Sequence, residues 1–580
     1  MSNTITYEAT KKLNYEWINE NAISHEFTKF DKSFPGKGTI VLKDGVTKIG
    51  DQAFRGIDDD NYESNQTPLN EIWEEIFSRY FRMRSNIIPD FKEKELRQMF
   101  PECLTLFSIT LPDSITEIGD NAFEGCFGLK RITLPKSLRK IGRCAFYGCF
   151  TLLTMSAISK SVTEIGESAF EGCCDLRNIS VEEGNPIYDS RNNCNALIET
   201  KTNTLIRGCM ITVIPDTVET IGDNAFEGCT RMTKLTIPKS VTKIGADVFN
   251  GCFFLSNISV EEGNPVFDSR NACNAIIETK TNTLVRGSYK TDIPETVTKI
   301  GDRAFYQCMI KEINILSSVK EIGNEAFGKC QHLTSIDIPD SVTKIGYSAF
   351  MDCTSLLSIT IPKSVIEIGD GAFCRCDRLT SIVLPDLITE IKGSTFEGCT
   401  RLKSIVLPNS LTKIGDWDFF NCNCLESITI PNTVTSIGRY AFENCTNLKE
   451  ITIPNSVTEI GCEAFCGCKN LASIIIPDSI TGIIHGHTFF GCKKLASVVL
   501  PDSITEIWDG AFSDCYELKS IVIPNSVKSI EAWAFAGCRE LTSINIPDSV
   551  TKIGDKAFAE CPNLPDETKN KIRKINEKAI

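Results

Sequence analysis

The sequence predicts an α/β repeat protein: a right-handed solenoid in which one strand-lined concave parallel sheet is backed by short strands and helical turns. Three observations predict it. A phenylalanine recurs at a nearly constant spacing, the residues around it change from strand-like to turn-like in each unit, and the unit is too short to bury its own apolar face. Stacked units share one core. The length of 580 residues therefore reflects the number of coils and not the number of globular domains.

The repeat is marked by phenylalanine in the context Ala-Phe-x-x-Cys. From Phe305 onward, every interval between marker residues is 22, 23 or 24 residues. Cysteine follows three residues later in seventeen of the eighteen units, and only the unit of Phe54 lacks it. Most of the 27 cysteines are therefore one repeat position. The markers are Phe54, Phe123, Phe146, Phe170, Phe226, Phe249, Phe305, Phe327, Phe350, Phe373, Phe396, Phe419, Phe442, Phe465, Phe489, Phe512, Phe535 and Phe558.

One unit shows how each coil is built. The segment Leu333-x-x-Ile336-x-Ile338 has β-branched residues at a period of two, which predicts a strand. Pro339 ends this strand because it has no amide hydrogen to donate. The stretch 342–346 predicts a second, very short strand or an extended turn.

The rest of the unit predicts a tight turn and one helical turn. Gly346 suits a left-handed or sharply turning backbone. Ala-Phe-x-x-Cys places Phe350 and Cys353 three residues apart, both facing inward. Equivalent side chains would form ladders through the stack, exemplified by Phe350, Cys353, Phe373, Cys376, Phe396 and Cys399.

This string, Ile-Pro-x-Ser-Val-Thr-x-Ile-Gly-x-x-Ala-Phe-x-x-Cys, resembles the BspA-like leucine-rich repeat family. The resemblance covers about residues 39–56 and 104–561. The period also fits the 20–29 residues of leucine-rich repeats. The resemblance implies a leucine-rich-repeat solenoid and a bacterial or microbial surface adhesin that binds host matrix or other cells.

The interruptions of the period predict the domain organisation. We expect an N-terminal cap at 1–38, a first repeat at 39–56, a helical insertion at 57–103, the repeat solenoid at 104–561 and a C-terminal helical cap at 562–580. The insertion carries an apolar stripe at helical spacing. It either packs on the flank of the solenoid or forms a partner-binding helix pair.

Two further interruptions, at 182–214 and 261–293, are near copies of each other. In each, apolar segments flank Thr-Lys-Thr-Asn, which predicts a β-hairpin with a polar turn. Similar hairpin-bearing islands occur in BspA-like proteins. The segment 189–195 fails the calcium-loop pattern, because arginine and cysteine stand where a ligand and glycine are required.

Composition narrows the function classes. A net charge of −14 without basic runs argues against nucleic acid, and no stretch is long and apolar enough to span a membrane. Only four histidines are present, and no nucleophile–base constellation or phosphate-binding glycine loop appears. We therefore expect no enzyme, no cofactor and no metal, and a protein that is a monomer.

Ten cysteines lie outside the repeat position. Cys462-x3-Cys466-x-Cys468 and Cys374-x-Cys376 are the clusters that suggest thiolate chemistry. Buried free thiols that act as small apolar fillers are the simplest interpretation. An occasional disulfide between ladder positions, or a metal site, remains an alternative.

The candidate binding surface is the strand position that points away from the core. It is polar in the early units and largely aliphatic later, behind a row of small serines. Strand propensity alone also favours such residues; the functional hypothesis is a shallow apolar groove for an extended partner. Its residues are Val383, Val406, Thr429, Thr452, Ile475, Val499 and Val522.

A second candidate patch consists of Trp417, Tyr440 and Trp533. Each lies two residues before its marker phenylalanine, so we expect them on one loop edge. Exposed aromatic residues are frequent binding hot spots, although packing within the turns explains them equally well.

The first functional hypothesis is a non-enzymatic interaction protein, displayed on the cell surface or secreted, that binds a protein or glycoprotein. The alternative is an intracellular scaffold or specificity subunit that uses the solenoid face and the 57–103 helices. The start of the chain lacks a signal peptide, and the many thiols suit a cytoplasmic protein. A chain from which a signal has been removed accounts for the same facts.

Overall fold

The computed structural model describes residues 4–9, 22–28, 36–42, 46–50, 53 and 106–580. They form two compact units, Met1–Asp268 and Ser269–Ile580, each made of short coils joined by parallel strand pairing. The predicted helical insertion at 57–103 lies outside the described residues.

Each regular coil contributes two short strands, which stack into two rows. The first row holds the Ser-Ile-x segment, and its inward isoleucines align from coil to coil, as in the pair Ile336 and Ile359. The second row holds the Lys-Ile or Glu-Ile segment, where Ile345 aligns with Ile368. Both rows are parallel because successive coils run in the same direction.

In the first unit, the first-row strands are Leu106–Thr110, Arg131–Thr133, Thr154–Met155, Lys234–Ile237 and Asn257–Val260. The second-row strands are Lys48–Ile49, Glu117–Ile118, Lys140–Ile141, Glu164–Ile165, Thr220–Ile221 and Lys243–Ile244. The other strands are Thr4–Ala9, Ala22–Thr28, Gly36–Leu42, Tyr188–Asp189, Ala196–Glu199, Thr204–Gly208 and Phe267–Asp268.

In the second unit, the first-row strands are Ser335–Asp337, Ser358–Thr360, Ser381–Val383, Ser404–Val406, Ser427–Thr429, Glu450–Thr452, Ser473–Ile475, Ser497–Val499, Ser520–Ile521 and Ser543–Ile544. The second-row strands are Lys299–Ile300, Glu321–Ile322, Lys344–Ile345, Glu367–Ile368, Glu390–Ile391, Lys413–Ile414, Ser436–Ile437, Glu459–Ile460, Gly482–Ile484, Ile504–Ile507, Ser529–Ile530 and Lys552–Ile553. Two further strands are Ile276–Glu278 and Thr283–Arg286.

The predicted helical turn at Ala-Phe-x-x-Cys is wrong. The Cys353 amide does donate to the Phe350 carbonyl (3.2 Å), as one turn of helix requires. Ser348 and Asp352, however, adopt φ angles of 47° and 56°, and a left-handed residue on each side prevents the helix from propagating. The repeats therefore contain very little helix, and the α/β class is corrected to a β-solenoid.

The turn segment nevertheless joins neighbouring coils along a third side. The Phe350 amide donates to the Ala372 carbonyl of the next coil (2.8 Å), and the Asp352 amide donates to the Cys374 carbonyl (2.8 Å). Backbone groups on three sides of a regular coil are therefore hydrogen-bonded to the neighbouring coils.

Gly346 differs from the sequence expectation in its role. Its φ angle is not among the positive ones, so a left-handed turn does not explain it. A Cβ atom at this position would lie 2.6 Å from the amide nitrogen of Asn324 in the preceding coil. The glycine is needed because two backbones approach each other closely.

The core of each unit consists of ladders of identical side chains. In the second unit, the rings of Phe350 and Phe373 stack with centroids 5.6 Å apart, and Phe373 and Phe396 stack at 5.7 Å. All three rings are fully buried. Offset stacking at this separation adds about 0.5–1.5 kcal/mol per pair to the burial of the rings.

Cysteine lines the core beside this stack. The Cys376 thiol donates to the Phe350 carbonyl of the preceding coil (3.2 Å), and the Cys399 thiol donates to the Phe373 carbonyl in the same way (3.2 Å). Cys353, Cys376 and Cys399 are fully buried. The ladder cysteine is thus a hydrogen-bond donor as well as a small filler.

The segment at 182–214 replaces a regular coil with antiparallel strands. Ala196–Glu199 pairs with Thr204–Gly208, and the second of these pairs parallel with Thr220–Ile221. The segment at 261–293 repeats this: Ile276–Glu278 pairs with Thr283–Arg286, which pairs parallel with Lys299–Ile300. In each segment the returning strand takes the place of a second-row strand.

A buried arginine substitutes for the turn that these segments lack. The Arg207 guanidinium donates to the carbonyls of Asn224 (3.1 Å) and Glu227 (2.7 Å), and the Gly208 amide donates to the Ala225 carbonyl (2.8 Å). In a regular coil, a backbone amide of the preceding turn donates to the carbonyl at the position of Glu227, as the Asp352 amide donates to the Cys374 carbonyl. Arg286 likewise donates to the Tyr306 carbonyl (3.1 Å).

The first strands of the first unit and the last coil of the second unit are paired as well. Thr4–Ala9 lies antiparallel between Gly36–Leu42 and Leu106–Thr110. The single α-helix among the described residues is Asp566–Ile575, and 3₁₀ turns lie at Arg191–Asn193, Arg270–Ala272 and Glu577–Ala579. After the α-helix, the Ala579 carbonyl accepts a hydrogen bond from the Phe558 amide (2.7 Å), as the next coil would.

Candidate partner-binding surface

The outward position of the first row carries exposed aliphatic side chains in the second unit. Five of them are between 55 and 73% exposed, although each directly follows a buried residue of a first-row strand, as Val383 follows Ile382. We call these five residues the apolar row. It consists of Val383, Val406, Ile475, Val499 and Val522.

Strand pairing places these side chains side by side. Val383 is in register with Val406, and Ile475 is in register with Val499, so neighbouring members are about 4.8 Å apart. Thr429 and Thr452, which are also exposed and in register, occupy the same position in the coils between these pairs. The serines that begin most of these strands are exposed and small, and they leave the row open at one side.

The outward position of the second row is charged instead. Lys299 pairs with Glu321 (3.2 Å), and Lys344 pairs with Glu367 (2.9 Å), through side chains that are 38–45% exposed. Exposed pairs of this kind contribute at most about 1 kcal/mol each. Their importance here is the contrast with the apolar row, because the two strand rows present different chemistry to solvent.

The aromatic patch predicted from the sequence forms two separate contacts. Trp417 and Tyr440 stack with ring centroids 5.0 Å apart and planes 5° from parallel. Trp533 lies beneath the Lys556 ammonium, 4.5 Å from its ring centroid. All three aromatic residues adopt φ angles of 56–57°. The left-handed backbone at this position turns the side chains away from the core.

Trp508, which directly follows the second-row strand Ile504–Ile507, was missed by sequence reasoning. Trp508 is 40% exposed, its indole donates to Glu506 (2.8 Å), and the His485 ring meets it edge-on at 5.5 Å. Trp508 occupies the position of Gly346 in its own repeat. That departure from the repeat pattern is the signal that could have found it.

Two electrostatic features lie at the aromatic pair. The charge of Glu463 raises the pKa of the Tyr440 hydroxyl. Asp418, beside Trp417, stands where most repeats have alanine and is fully buried, which raises its pKa well above the ordinary value of an aspartate. Its carboxyl accepts hydrogen bonds from the amides of Gly415 and Thr395.

The thiols that suggested clusters separate in the structure. Cys468 donates to the Phe442 carbonyl and belongs to the core ladder (3.2 Å), whereas Cys462 donates to the Gly486 carbonyl (3.1 Å). Cys376 is also a ladder residue, while Cys374 and Cys466 lie one position after their marker phenylalanines, each 9% exposed. Adjacent cysteines in the sequence therefore point to different places.

Comparison with solved structures finds repeat proteins of bacteria. A leucine-rich repeat protein from Bacteroides ovatus is 34% identical, with a TM-score of 0.48, and the match covers 60% of this chain and 81% of the other. A leucine rich cell surface protein from Faecalibacterium prausnitzii is 28% identical, with a TM-score of 0.40, over 69% and 85% of the two chains. The leucine rich repeat protein of T. pallidum is 36% identical, with a TM-score of 0.29, over 34% and 83%.

No curated protein matches this chain. Among the described residues, no helix has the length and apolar character needed to cross a membrane. Six copies of the BspA type leucine rich repeat region match this chain, and together they cover residues 96–203, 208–285, 288–403, 366–484 and 482–580. Because these matches span most of the chain and coincide with the coils described above, the protein belongs to the BspA type leucine rich repeat family.

Proposed function

We propose that this protein is a non-catalytic interaction protein that binds a protein or glycoprotein partner along the apolar row. One observation carries the proposal. Five aliphatic side chains, 55–73% exposed, occupy the same outward position of the first row, whereas the second row presents paired charges. Exposed apolar side chains that cluster on one face are a known mark of interaction sites.

The geometry suits an extended partner. Neighbouring members of the row are about one strand spacing apart, and the small serines beside them leave room for a chain laid across the strands. Trp417 and Tyr440, already stacked, and Trp533 would add aromatic anchors on the turn side. Many weak contacts of this kind, repeated from coil to coil, produce affinity through multivalency.

The proposal includes display on the surface of a bacterial cell as an adhesin, which the family resemblance implies, and a monomeric chain. Labelling of intact native cells with an antibody to the solenoid tests the location. Labelling that requires permeabilised cells would instead support the intracellular scaffold.

The binding surface is tested with two pairs of substitutions that add the same charge. Val383→Asp with Val499→Asp places charges in the apolar row, and Thr389→Asp with Thr435→Asp places them at exposed positions beside the second row. The immobilised full-length protein is exposed to host and microbial lysates, and bound proteins are identified by mass spectrometry. We expect the first pair to lose the partners that the wild type and the second pair retain.

Circular dichroism establishes that both double variants are folded. Identical sets of bound proteins for all three proteins would overturn the assignment of the apolar row. Treatment of the lysate with glycosidases then separates the two partner classes, because capture of a glycoprotein through its glycan would be lost and capture through its polypeptide would remain.

A further inference from the structure

Three side chains with metal-binding atoms converge at the turn side of two neighbouring coils. One carboxylate oxygen each of Glu443 and Glu463 and the Cys466 sulfur lie within 4.8 Å of one another. Among the described residues, no other group of three or more histidine, cysteine, aspartate or glutamate side chains has its ligand atoms this close together. It lies on a different part of the coil from the apolar row.

The backbone fixes these three side chains in place. The Cys466 amide donates to the Glu463 carbonyl (3.1 Å), so both residues belong to one hydrogen-bonded turn. The Asn444 amide donates to the Cys466 carbonyl (2.7 Å), which holds the coil of Glu443 against that turn. Glu443 and Cys466 each follow a marker phenylalanine directly, so they occupy the same position in successive coils.

The Cys466 thiol is buried without a hydrogen-bond partner. It is 9% exposed, and within the described part of the chain no donor or acceptor pairs with its sulfur. The ladder thiols of this coil and of the next one, by contrast, donate to a phenylalanine carbonyl, as Cys468 and Cys492 do. No hydrogen bond therefore occupies the Cys466 sulfur, and it can bind an ion that lies between it and the two carboxylates.

The two glutamates also have no compensating cation. No lysine or arginine of the described residues forms an ion pair with Glu443 or Glu463. Two carboxylates and a thiol this close together repel one another when ionised, and a bound cation removes that repulsion. Both glutamates are half-buried, so the group is accessible to an ion from solvent.

We propose that Glu443, Glu463 and Cys466 bind a divalent transition metal ion, zinc in particular. Zinc accepts a mixed set of thiolate and carboxylate ligands, whereas calcium and magnesium require oxygen ligands throughout. Bonds of about 2.3 Å to sulfur and 2.0 Å to oxygen place tetrahedral ligand atoms about 3.3–3.6 Å apart, so the side chains close in by roughly 1 Å on binding. Water would supply the fourth ligand, because both glutamates are only half-buried.

The proton balance of binding is simple. The Cys466 thiol releases its proton to water as the sulfur–zinc bond forms, and any proton on the carboxylates is released in the same step. No oxidant or reductant is involved. Binding is therefore expected to strengthen as the pH rises.

The test uses the reduced, metal-depleted full-length protein with cadmium as a spectroscopic stand-in for zinc. Cadmium bound to a thiolate gives an ultraviolet charge-transfer band, and zinc should displace it at a stoichiometry of one ion per chain. Cys466→Ser should abolish the band. Glu443→Gln and Glu463→Gln should each weaken binding at least tenfold, about the lower end of what loss of a supporting group costs a metal site.

Cys374→Ser is the matched control. Cys374 also directly follows its marker phenylalanine and is equally buried, but within the described ranges it belongs to no group of three metal-binding side chains. Its variant should bind cadmium like the wild type. Absence of the band in the wild type, or a band that survives Cys466→Ser, would overturn the proposal. Circular dichroism of the apo variants separates loss of metal from loss of fold.

Discussion

The sulfur of Cys376 lies 3.2 Å from the carbonyl oxygen of Phe350 in the preceding coil. That carbonyl already accepts the amide of Cys353 within its own turn (3.2 Å). The thiol therefore occupies the second acceptor site of the oxygen and ties one coil to the next through the core. Alanine has the size of a filler but cannot make this contact.

Replacement of a ladder cysteine measures the contact. Cys376→Ala removes a weak hydrogen bond and leaves a small cavity, so we expect a loss of about 1–2 kcal/mol in the free energy of unfolding. Urea denaturation followed by circular dichroism measures it. Cys424→Ala, at a half-exposed cysteine outside the ladder, is the control and should change stability by less than about 0.5 kcal/mol. Equal effects would show that the ladder position is not special.

Alkylation of the native protein should reach few thiols. Among the described cysteines, Cys144, Cys424 and Cys462 are half-buried and the others are buried. Burial raises the pKa of Cys144 to about 11 and that of Cys374 to about 12, which leaves little reactive thiolate at neutral pH. Peptide mass spectrometry after brief iodoacetamide treatment should find label first at Cys424, and only after longer treatment at Cys462 and Cys144, because burial raises the pKa of both of these thiols. Label in the Phe-x-x-Cys ladder would contradict the structure.

Asp418 should make stability fall as the pH rises. Burial raises its pKa in the folded protein, so the folded state keeps a proton that the unfolded chain has already lost. This contribution is fully present below about pH 4 and disappears as the pH rises through the folded-state pKa. Asp418→Thr introduces the residue that Thr395 provides at the same repeat position. It should therefore raise the melting temperature relative to the wild type more at pH 8 than at pH 4.

The exposed Asp386 provides the control for this measurement. Asp386→Asn should shift the melting temperature by similar small amounts at both values of pH. If the difference between Asp418→Thr and the wild type is the same at pH 4 and pH 8, the buried carboxyl does not govern the pH dependence.

Substitutions of Trp417 test whether the left-handed backbone at this position is strained by a side chain. Its φ angle is 56°, and glycine occupies the same position in other coils, at Gly371 with φ 60° and Gly510 with φ 57°. Trp417→Gly and Trp417→Ala both lose the stacking on Tyr440, but only alanine retains the strain of positive φ. We expect the glycine variant to be more stable by about 1 kcal/mol in chemical denaturation. Equal stabilities would exclude strain at this position.

Substitution of Arg207 tests how much its guanidinium hydrogen bonds, which replace those of the missing turn, stabilise the protein. Arg207→Met keeps the apolar length of the side chain but removes the donors to the Asn224 and Glu227 carbonyls, which should cost about 2–3 kcal/mol. Arg177→Met, at an exposed arginine of the same unit, should have little effect. Thermal denaturation compares the two. A loss no larger for Arg207 than for Arg177 would show that water satisfies these carbonyls.

The period of the sequence was sufficient to predict the solenoid and its inward ladders, because a residue type that recurs about every 23 positions must occupy equivalent places in a stack. The family was suggested by the resemblance of the repeat string. The period was insufficient for the turn at Phe350 and Cys353. Their spacing of three is common to a helix and to a hydrogen-bonded turn, and only the left-handed residues at Ser348 and Asp352 distinguish the two. A serine or an aspartate in a sequence does not predict a positive φ angle as a glycine does.

The groups that depend on contacts between coils were the hardest to predict. Cys462, Cys466 and Cys468 are close in sequence, yet they face three different surroundings, and the metal-binding side chains beside Cys466 are Glu443 and Glu463. The role of Arg207 was hidden for the same reason, since its partners lie 17 and 20 residues further along the chain. Strand alternation directly predicted that Val383 is exposed. It does not predict whether a partner covers this side chain.

The hydrogen bonds that join each coil to its neighbours on three sides have an evolutionary consequence. A coil presents the same donors above and the same acceptors below as every other regular coil, so a duplicated coil can be inserted without redesign of the residues around it. The reach of the apolar row can therefore grow or shrink by one strand spacing per duplication or deletion. Evolution can therefore match the length of the surface to a partner without changing the residues that each coil contributes.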